Sequence, residues 1–108
     1  MFLALVTVSI LGPAALADDK PPEAKEIYEA RCAFCHGTDG KGDGPAGAAL
    51  QPRPTRFDSP EFWQTAKLAV LKQSIKNGKP GTAMVPFGQS LTEAEVDALL
   101  AYLRAFAK

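Results

Sequence analysis

The stretch Cys32-Ala33-Phe34-Cys35-His36 decides what this chain can be. Two cysteines three residues apart, followed at once by a histidine, have the spacing by which a haem is attached covalently through two thioether bonds. On a helix, Cys35 and His36 stand three and four residues after Cys32, so the three side chains project from one face. One face of a helix can therefore meet both vinyl groups and the iron.

The same cysteine spacing also occurs in redox dithiols and zinc sites, which fit this chain less well. A thioredoxin-type dithiol follows a strand within a βαβ unit, and no strand pattern precedes Cys32. A structural zinc ion needs four ligands, more than the two cysteines and His36 supply unless a carboxylate joins them. A plain disulfide or dithiol between Cys32 and Cys35 is the main alternative to haem attachment.

The N-terminal stretch of residues 1–17 has the composition of a secretory signal peptide. It is almost wholly apolar and ends in Ala15-Leu16-Ala17, a small-x-small cleavage site. It has no lysine or arginine ahead of the apolar run, which departs from the usual pattern, and the run is shorter than the ~20 residues that span a bilayer. We predict a cleavable signal over residues 1–17 and one domain over residues 18–108, exported to the periplasm or a thylakoid lumen without stable membrane insertion.

The charge of the chain excludes some partners. Its 12 basic and 12 acidic residues give a formal net charge of zero, so bulk electrostatics favour neither nucleic acid nor an anionic membrane surface. Three lysines, Lys72, Lys76 and Lys79, nevertheless lie close together in sequence. They are interpreted either as a solvated helix face or as a patch that steers acidic partners.

Apolar residues recur at helical spacing and predict an all-α fold. The first helix begins at Pro22 and carries Tyr28, Cys32 and Cys35 on one stripe. Further helices are predicted after the N-cap Ser59, over residues 66–77, and after a capping box of Thr92 and Glu95. Large apolar side chains are few beyond residue 17. A porphyrin burying on the order of 400 Å² would therefore contribute roughly 10 kcal/mol, as much as a small domain's net stability.

The attachment motif, a methionine-bearing loop and the terminal helices resemble, in this order, the small monohaem class I cytochromes c. The loop runs from Gly81 to Gly88 around Met84, and Val85 stands where the family usually has proline. After removal of residues 1–17, Met84 is the only methionine and His36 the only histidine. They are the expected axial ligands of the iron, short of lysine, and a methionine that merely fills the core is the alternative.

The resemblance implies the cytochrome c fold, with about four helices around one covalently attached haem c. It implies a monomer without catalytic residues that carries single electrons between protein donors and acceptors. The Pro45 carbonyl is expected to accept the Nδ1–H of His36, unless Pro45 only stiffens a turn. Trp63 lies 21 residues before Met84, where some members bond a haem propionate, and a packed tryptophan is the alternative.

Two further questions stay open from the sequence. Either Arg53 or Arg56 could face a propionate, although a solvated loop cation is an equally good interpretation. The alternative function is a haem peroxidase or a ligand-binding sensor, which requires a sixth ligand that is easily displaced. A dithiol protein without haem is the third hypothesis, and it would be colourless.

Overall fold

The computed structural model describes residues 2–7 and 23–108. The predicted cleavage site after Ala17 and the predicted helix start at Pro22 lie outside the described residues. Within them the chain is all-α, as predicted, and contains no strand. The helices are α1 (Ala24–Arg31), α2 (Ala33–His36), α3 (Pro60–Thr65), α4 (Leu68–Asn77) and α5 (Glu93–Ala105), with one 3₁₀ turn at Gly47–Ala49.

The N-terminal helix is broken inside the attachment motif. The sequence predicts one helix through His36, but Cys32 (φ −116°, ψ −36°) separates α1 from α2. The Cys32 N–H still donates to the Tyr28 carbonyl at 2.8 Å, and the His36 N–H donates to the Cys32 carbonyl at 2.9 Å. The two helices therefore remain joined by hydrogen bonds, and Gly37 ends α2 with a φ of +85°.

Helix α3 begins as its sequence predicts. The Ser59 hydroxyl accepts the Phe62 N–H at 3.3 Å, and Pro60 occupies the first turn, where its missing N–H costs nothing. The chain then turns at Ala66, whose extended backbone (ψ 135°) separates α3 from α4.

Helix α4 begins two residues later than predicted and ends, as predicted, at Gly78 (φ +74°). Ile75 is buried on its inner face and Leu71 packs against the core. Leu68, which helical spacing places on the same face as Leu71 and Ile75, is 50% exposed. The interior face of α4 therefore begins at Leu71 and leaves the first turn of the helix exposed.

Helix α5 supplies four of the nine buried core residues, more than any other element. Its capping box is present: the Thr92 hydroxyl accepts the Glu95 N–H at 3.1 Å, and the Glu95 carboxylate accepts the Thr92 N–H at 2.8 Å. Its inward side chains pack against α1 and α4. The buried residues of the core are Tyr28, Ala33, Phe57, Trp63, Ile75, Val96, Leu99, Leu100 and Leu103.

Tyr28 joins α1 to the end of the attachment motif. Its side chain is fully buried, and its ring lies 5.3 Å from that of Tyr102 and 5.1 Å from that of Phe106, both near the end of α5. Its hydroxyl donates to the Gly37 carbonyl at 2.6 Å. Burial raises the pKa of Tyr28 above its ordinary value of 10.0, so this donor keeps its proton. The sequence predicted the packing of Tyr28 but not this hydrogen bond.

Candidate functional site

Three segments of the chain enclose a cleft with a cavity volume of about 170 Å³. The first is the attachment motif, the second is the proline-rich loop that follows the 3₁₀ turn, and the third is the loop between α4 and α5. Apolar side chains and cations line the cleft. Its lining residues are Arg31, Cys32, Cys35, His36, Leu50, Pro52, Arg53, Pro54, Thr55, Lys79, Thr82, Ala83, Met84, Val85 and Phe87.

Both cysteines of the motif line this cleft. Cys32 and Cys35 are half-buried and are not joined in a disulfide. Burial raises the pKa of the Cys32 thiol to about 11. No group of three or more His, Cys, Asp or Glu side chains within residues 2–7 and 23–108 is placed to hold a metal ion. The zinc interpretation therefore lacks its further ligand in this part of the chain.

His36 is held by a backbone carbonyl. Its Nδ1 lies 3.1 Å from the Thr55 carbonyl oxygen, which can only accept, so Nδ1 carries the proton. The ring stacks on Phe57 with centroids 4.7 Å apart. Burial lowers the pKa of His36 below its ordinary value of 6.5. The imidazole is therefore neutral at pH 7, with the lone pair of Nε2 available to a metal ion.

The carbonyl that accepts the Nδ1–H of His36 belongs to Thr55, whereas the sequence predicted that of Pro45. The turn around Pro45 folds against the end of α2: the Ala46 N–H donates to the Phe34 carbonyl at 2.9 Å. Gly47 packs so closely there that a Cβ atom would collide with the Cys35 carbonyl. Pro45 itself is exposed. The proline-rich loop instead reaches His36, and no local spacing signals this contact because the two residues lie 19 positions apart.

Met84 lines the same cleft from the loop between α4 and α5. Met84 and His36 also both line a smaller adjoining cavity of about 50 Å³. Backbone hydrogen bonds hold this loop on α4: the Phe87 N–H donates to the Ile75 carbonyl at 2.9 Å, and the Gly88 N–H donates to the Lys76 carbonyl at 3.0 Å. Two different segments therefore bring a histidine and a thioether to one cavity.

Trp63 belongs to the core and not to the cleft. Its indole N–H donates to the Phe57 carbonyl at 2.8 Å, and its ring packs edge-on against Phe62 at 5.1 Å. Among the residues that line the two described cavities, Trp63 is absent. The propionate contact predicted from its distance to Met84 is therefore replaced by a packing role, because α3 directs the indole inward.

Two of the three clustered lysines are neutralised by helix α5. Lys72 lies 3.0 Å from the Glu93 carboxylate and 2.9 Å from that of Asp97, and Lys76 also pairs with Glu93. The lysines hold the pKa of Glu93 below its ordinary value of 4.5. Lys72 and Lys76 therefore belong to an ion-pair network between α4 and α5, which weakens the interpretation of the three lysines as a patch that steers acidic partners.

The residues of the cleft fit a covalently attached haem. Two thiols and a neutral imidazole from one short stretch line the same cleft as a thioether from another, and most of the lining is apolar. Thioether, imidazole and thiolate groups are the ligands and attachment points that proteins use for haem. The cofactor interpretation of the motif thus has a matching cavity.

The comparisons with known proteins point the same way. The family described as cytochrome c oxidase, cbb3-type, subunit III matches residues 19–103. Dihydro-heme d1 dehydrogenase of Pseudomonas aeruginosa is 36% identical over 94 residues, which cover 87% of this chain but only 17% of that protein. Cytochrome c-554(547) of Halothiobacillus neapolitanus is 32% identical over 81 residues, covering 73% of this chain and 88% of that protein.

A solved structure supports the same fold. The structure titled KustC0563 c-type cytochrome superposes with a TM-score of 0.65 at 30% identity, covering 79% of this chain and 98% of that one. The family match spans most of the sequence, and the chain covers 88% of a relative named as a c-type cytochrome. The chain therefore belongs to the cytochrome c family represented by the cbb3-type oxidase subunit III, and it is a small class I-like monohaem cytochrome that binds haem c covalently and transfers electrons.

Proposed function

We propose that Cys32 and Cys35 hold the haem through thioether bonds and that His36 and Met84 are the two axial ligands of its iron. The observation that carries this proposal is that all four side chains line one cleft, with His36 and Met84 contributed by different walls. The Thr55 carbonyl supports it further, because a hydrogen bond at Nδ1 fixes the ring and strengthens the lone pair at Nε2.

The bound haem supplies a one-electron couple, whose potential a methionine ligand raises. The protein's part is to keep both axial positions occupied. Met84 sits in a loop that backbone hydrogen bonds hold on α4, so with haem bound Met84 would keep water and small ligands from the iron. We infer a carrier of single electrons between protein donors and acceptors, with no catalytic residue.

We also propose that the chain acts as a monomer in the periplasm after removal of residues 1–17, with a thylakoid lumen as the other compartment. The family match begins at residue 19, which supports a domain over residues 18–108. No helix in the described part of the chain combines the length and hydrophobicity needed to cross a bilayer.

The test is the visible spectrum of the oxidised and reduced protein, before and after addition of carbon monoxide. The wild type is expected to be low-spin in both states and unchanged by carbon monoxide. Met84→Ala is expected to become high-spin and to bind carbon monoxide when reduced. Gln89→Ala is the matched control, since Gln89 lies in the same loop, is exposed and is not among the residues that line the cleft; it should behave as the wild type.

The alternative function has a distinct signature. One relative is named a dehydrogenase, and a peroxidase or sensor needs an open or readily opened iron. Ready binding of carbon monoxide by the reduced wild type would contradict the proposed ligation and favour that alternative. A protein made with its first 17 residues in cells that attach haem c, yet without haem bands, would contradict the attachment as well.

A further inference from the structure

The cleft carries positive charge although the chain as a whole is neutral. Arg31, Arg53 and Lys79 line it, and none of its lining residues is aspartate or glutamate. The chain has 12 acidic residues, so their complete absence from this lining is selective. A haem brings two propionate carboxylates, and burying them without a partner would be costly. The question is which cations meet them.

Two of the cations near the cleft are already engaged. Arg56 forms a two-point pair with Asp58, at 3.0 Å and 2.7 Å, and is not among the residues that line the cleft. Arg31 donates to the Ser90 hydroxyl at 2.9 Å. Arg31 also adjoins Cys32. Because the vinyl groups to which cysteines attach lie on a different edge of the porphyrin from the propionates, Arg31 belongs to the vinyl side of the cleft.

Arg53 and Lys79 are the remaining cations. Neither side chain has a hydrogen bond or an ion pair within residues 2–7 and 23–108. Arg53 lies in the loop whose Thr55 carbonyl holds His36. Lys79 lies in the opposite loop, where its backbone N–H donates to the Met84 carbonyl at 3.2 Å. The two cations therefore line the cleft from the loop that holds the His36 ring and from the loop that carries Met84.

We propose that Arg53 and Lys79 bind the two haem propionates of this protein, one from each loop, a role for which the sequence offered Trp63, Arg53 and Arg56 as candidates. The proposal rests on the proposed attachment through Cys32 and Cys35, which turns the propionate edge away from the motif. A cation beside each carboxylate keeps that carboxylate ionised and balances its charge. An unpaired carboxylate would stabilise the extra positive charge of the ferric state. A cation that neutralises the carboxylate removes this stabilisation and so favours the ferrous state.

The first experiment compares reduction potentials, measured by spectroelectrochemical titration, in Arg53→Gln, Lys79→Gln and Arg56→Gln. Loss of one partly exposed ion pair is expected to change the ferric–ferrous equilibrium about threefold. This corresponds to a potential lower by about 28 mV, at 59 mV per tenfold for one electron. Arg56→Gln removes the same charge from the same loop and should leave the potential unchanged. Equal shifts in Arg53→Gln and Arg56→Gln would overturn the proposal.

The second experiment observes the carboxylates directly. Haem labelled with ¹³C at the propionate carboxyls gives isotope-sensitive carboxylate bands in redox-induced infrared difference spectra. The frequencies of these bands should shift in Arg53→Gln and in Lys79→Gln and stay unchanged in Arg56→Gln. Frequencies that stay unchanged in both Arg53→Gln and Lys79→Gln would overturn the assignment. Both readouts are separate from the carbon monoxide test, so a failure here and a failure of the Met84 ligation are told apart.

Discussion

Removing the hydroxyl of Tyr28 tests whether the attachment motif is tied to the helical core. The Tyr28 hydroxyl donates to the Gly37 carbonyl at 2.6 Å, and the same carbonyl also accepts the Gly40 N–H at 3.2 Å. Tyr28→Phe therefore leaves this oxygen with one partner, and the ring keeps its contacts with Tyr102 and Phe106. We expect a loss near the net value of one hydrogen bond, about 1 kcal/mol, and not the ~3 kcal/mol of an orphaned buried group.

In a domain of this size, about 1 kcal/mol lowers the Tm by roughly 4–8 °C. The assay is thermal unfolding of the haem-loaded protein, followed by far-ultraviolet circular dichroism. Tyr102→Phe is the matched control, because the Tyr102 ring packs in the same cluster while its hydroxyl has no hydrogen bond within the described residues. We expect this control to change stability by less than about 0.5 kcal/mol. Equal losses in the two variants would refute the reasoning.

Three further predictions concern the cofactor, a close contact and an ion pair. Protein with both Cys32 and Cys35 replaced by alanine is expected to be largely unfolded, since the haem supplies roughly 10 kcal/mol; a cooperative transition at near-native temperature would contradict this. Gly47→Ala should reduce the yield of haem-loaded protein and its Tm, because the added methyl collides with the Cys35 carbonyl. Lys72→Gln should lower the Tm at pH 7. The difference from wild type should shrink as the pH falls below 4.5, because Glu93, whose pKa is depressed by the lysines, then takes up its proton.

The elements that sequence predicted well are those whose signals are local. The capping box at Thr92 and Glu95, the proline-led start of α3 at Ser59 and the glycine stop at Gly78 all rest on neighbouring residues. The attachment motif is local in the same sense. Each could therefore be predicted without knowledge of the tertiary structure.

The features that sequence missed depend on contacts across the fold. The partner of His36 is Thr55 and not Pro45, because the proline-rich loop has no periodicity that could place its carbonyls. The break at Cys32 falls within an apolar stripe that continues through it. Trp63 fits the family's spacing to Met84, yet α3 directs its indole into the core, where it donates to the Phe57 carbonyl.

The loop that carries Met84 completes a helix end. The last carbonyls of a helix lack intrahelical partners, and in α4 those of Ile75 and Lys76 accept the N–H groups of Phe87 and Gly88. One pair of hydrogen bonds thus serves both the helix terminus and the loop, so neither can fray without the other. They form a single cooperative opening unit, and the fraction of molecules in which the Met84 loop is open is set by the fraying equilibrium of the α4 C-terminus.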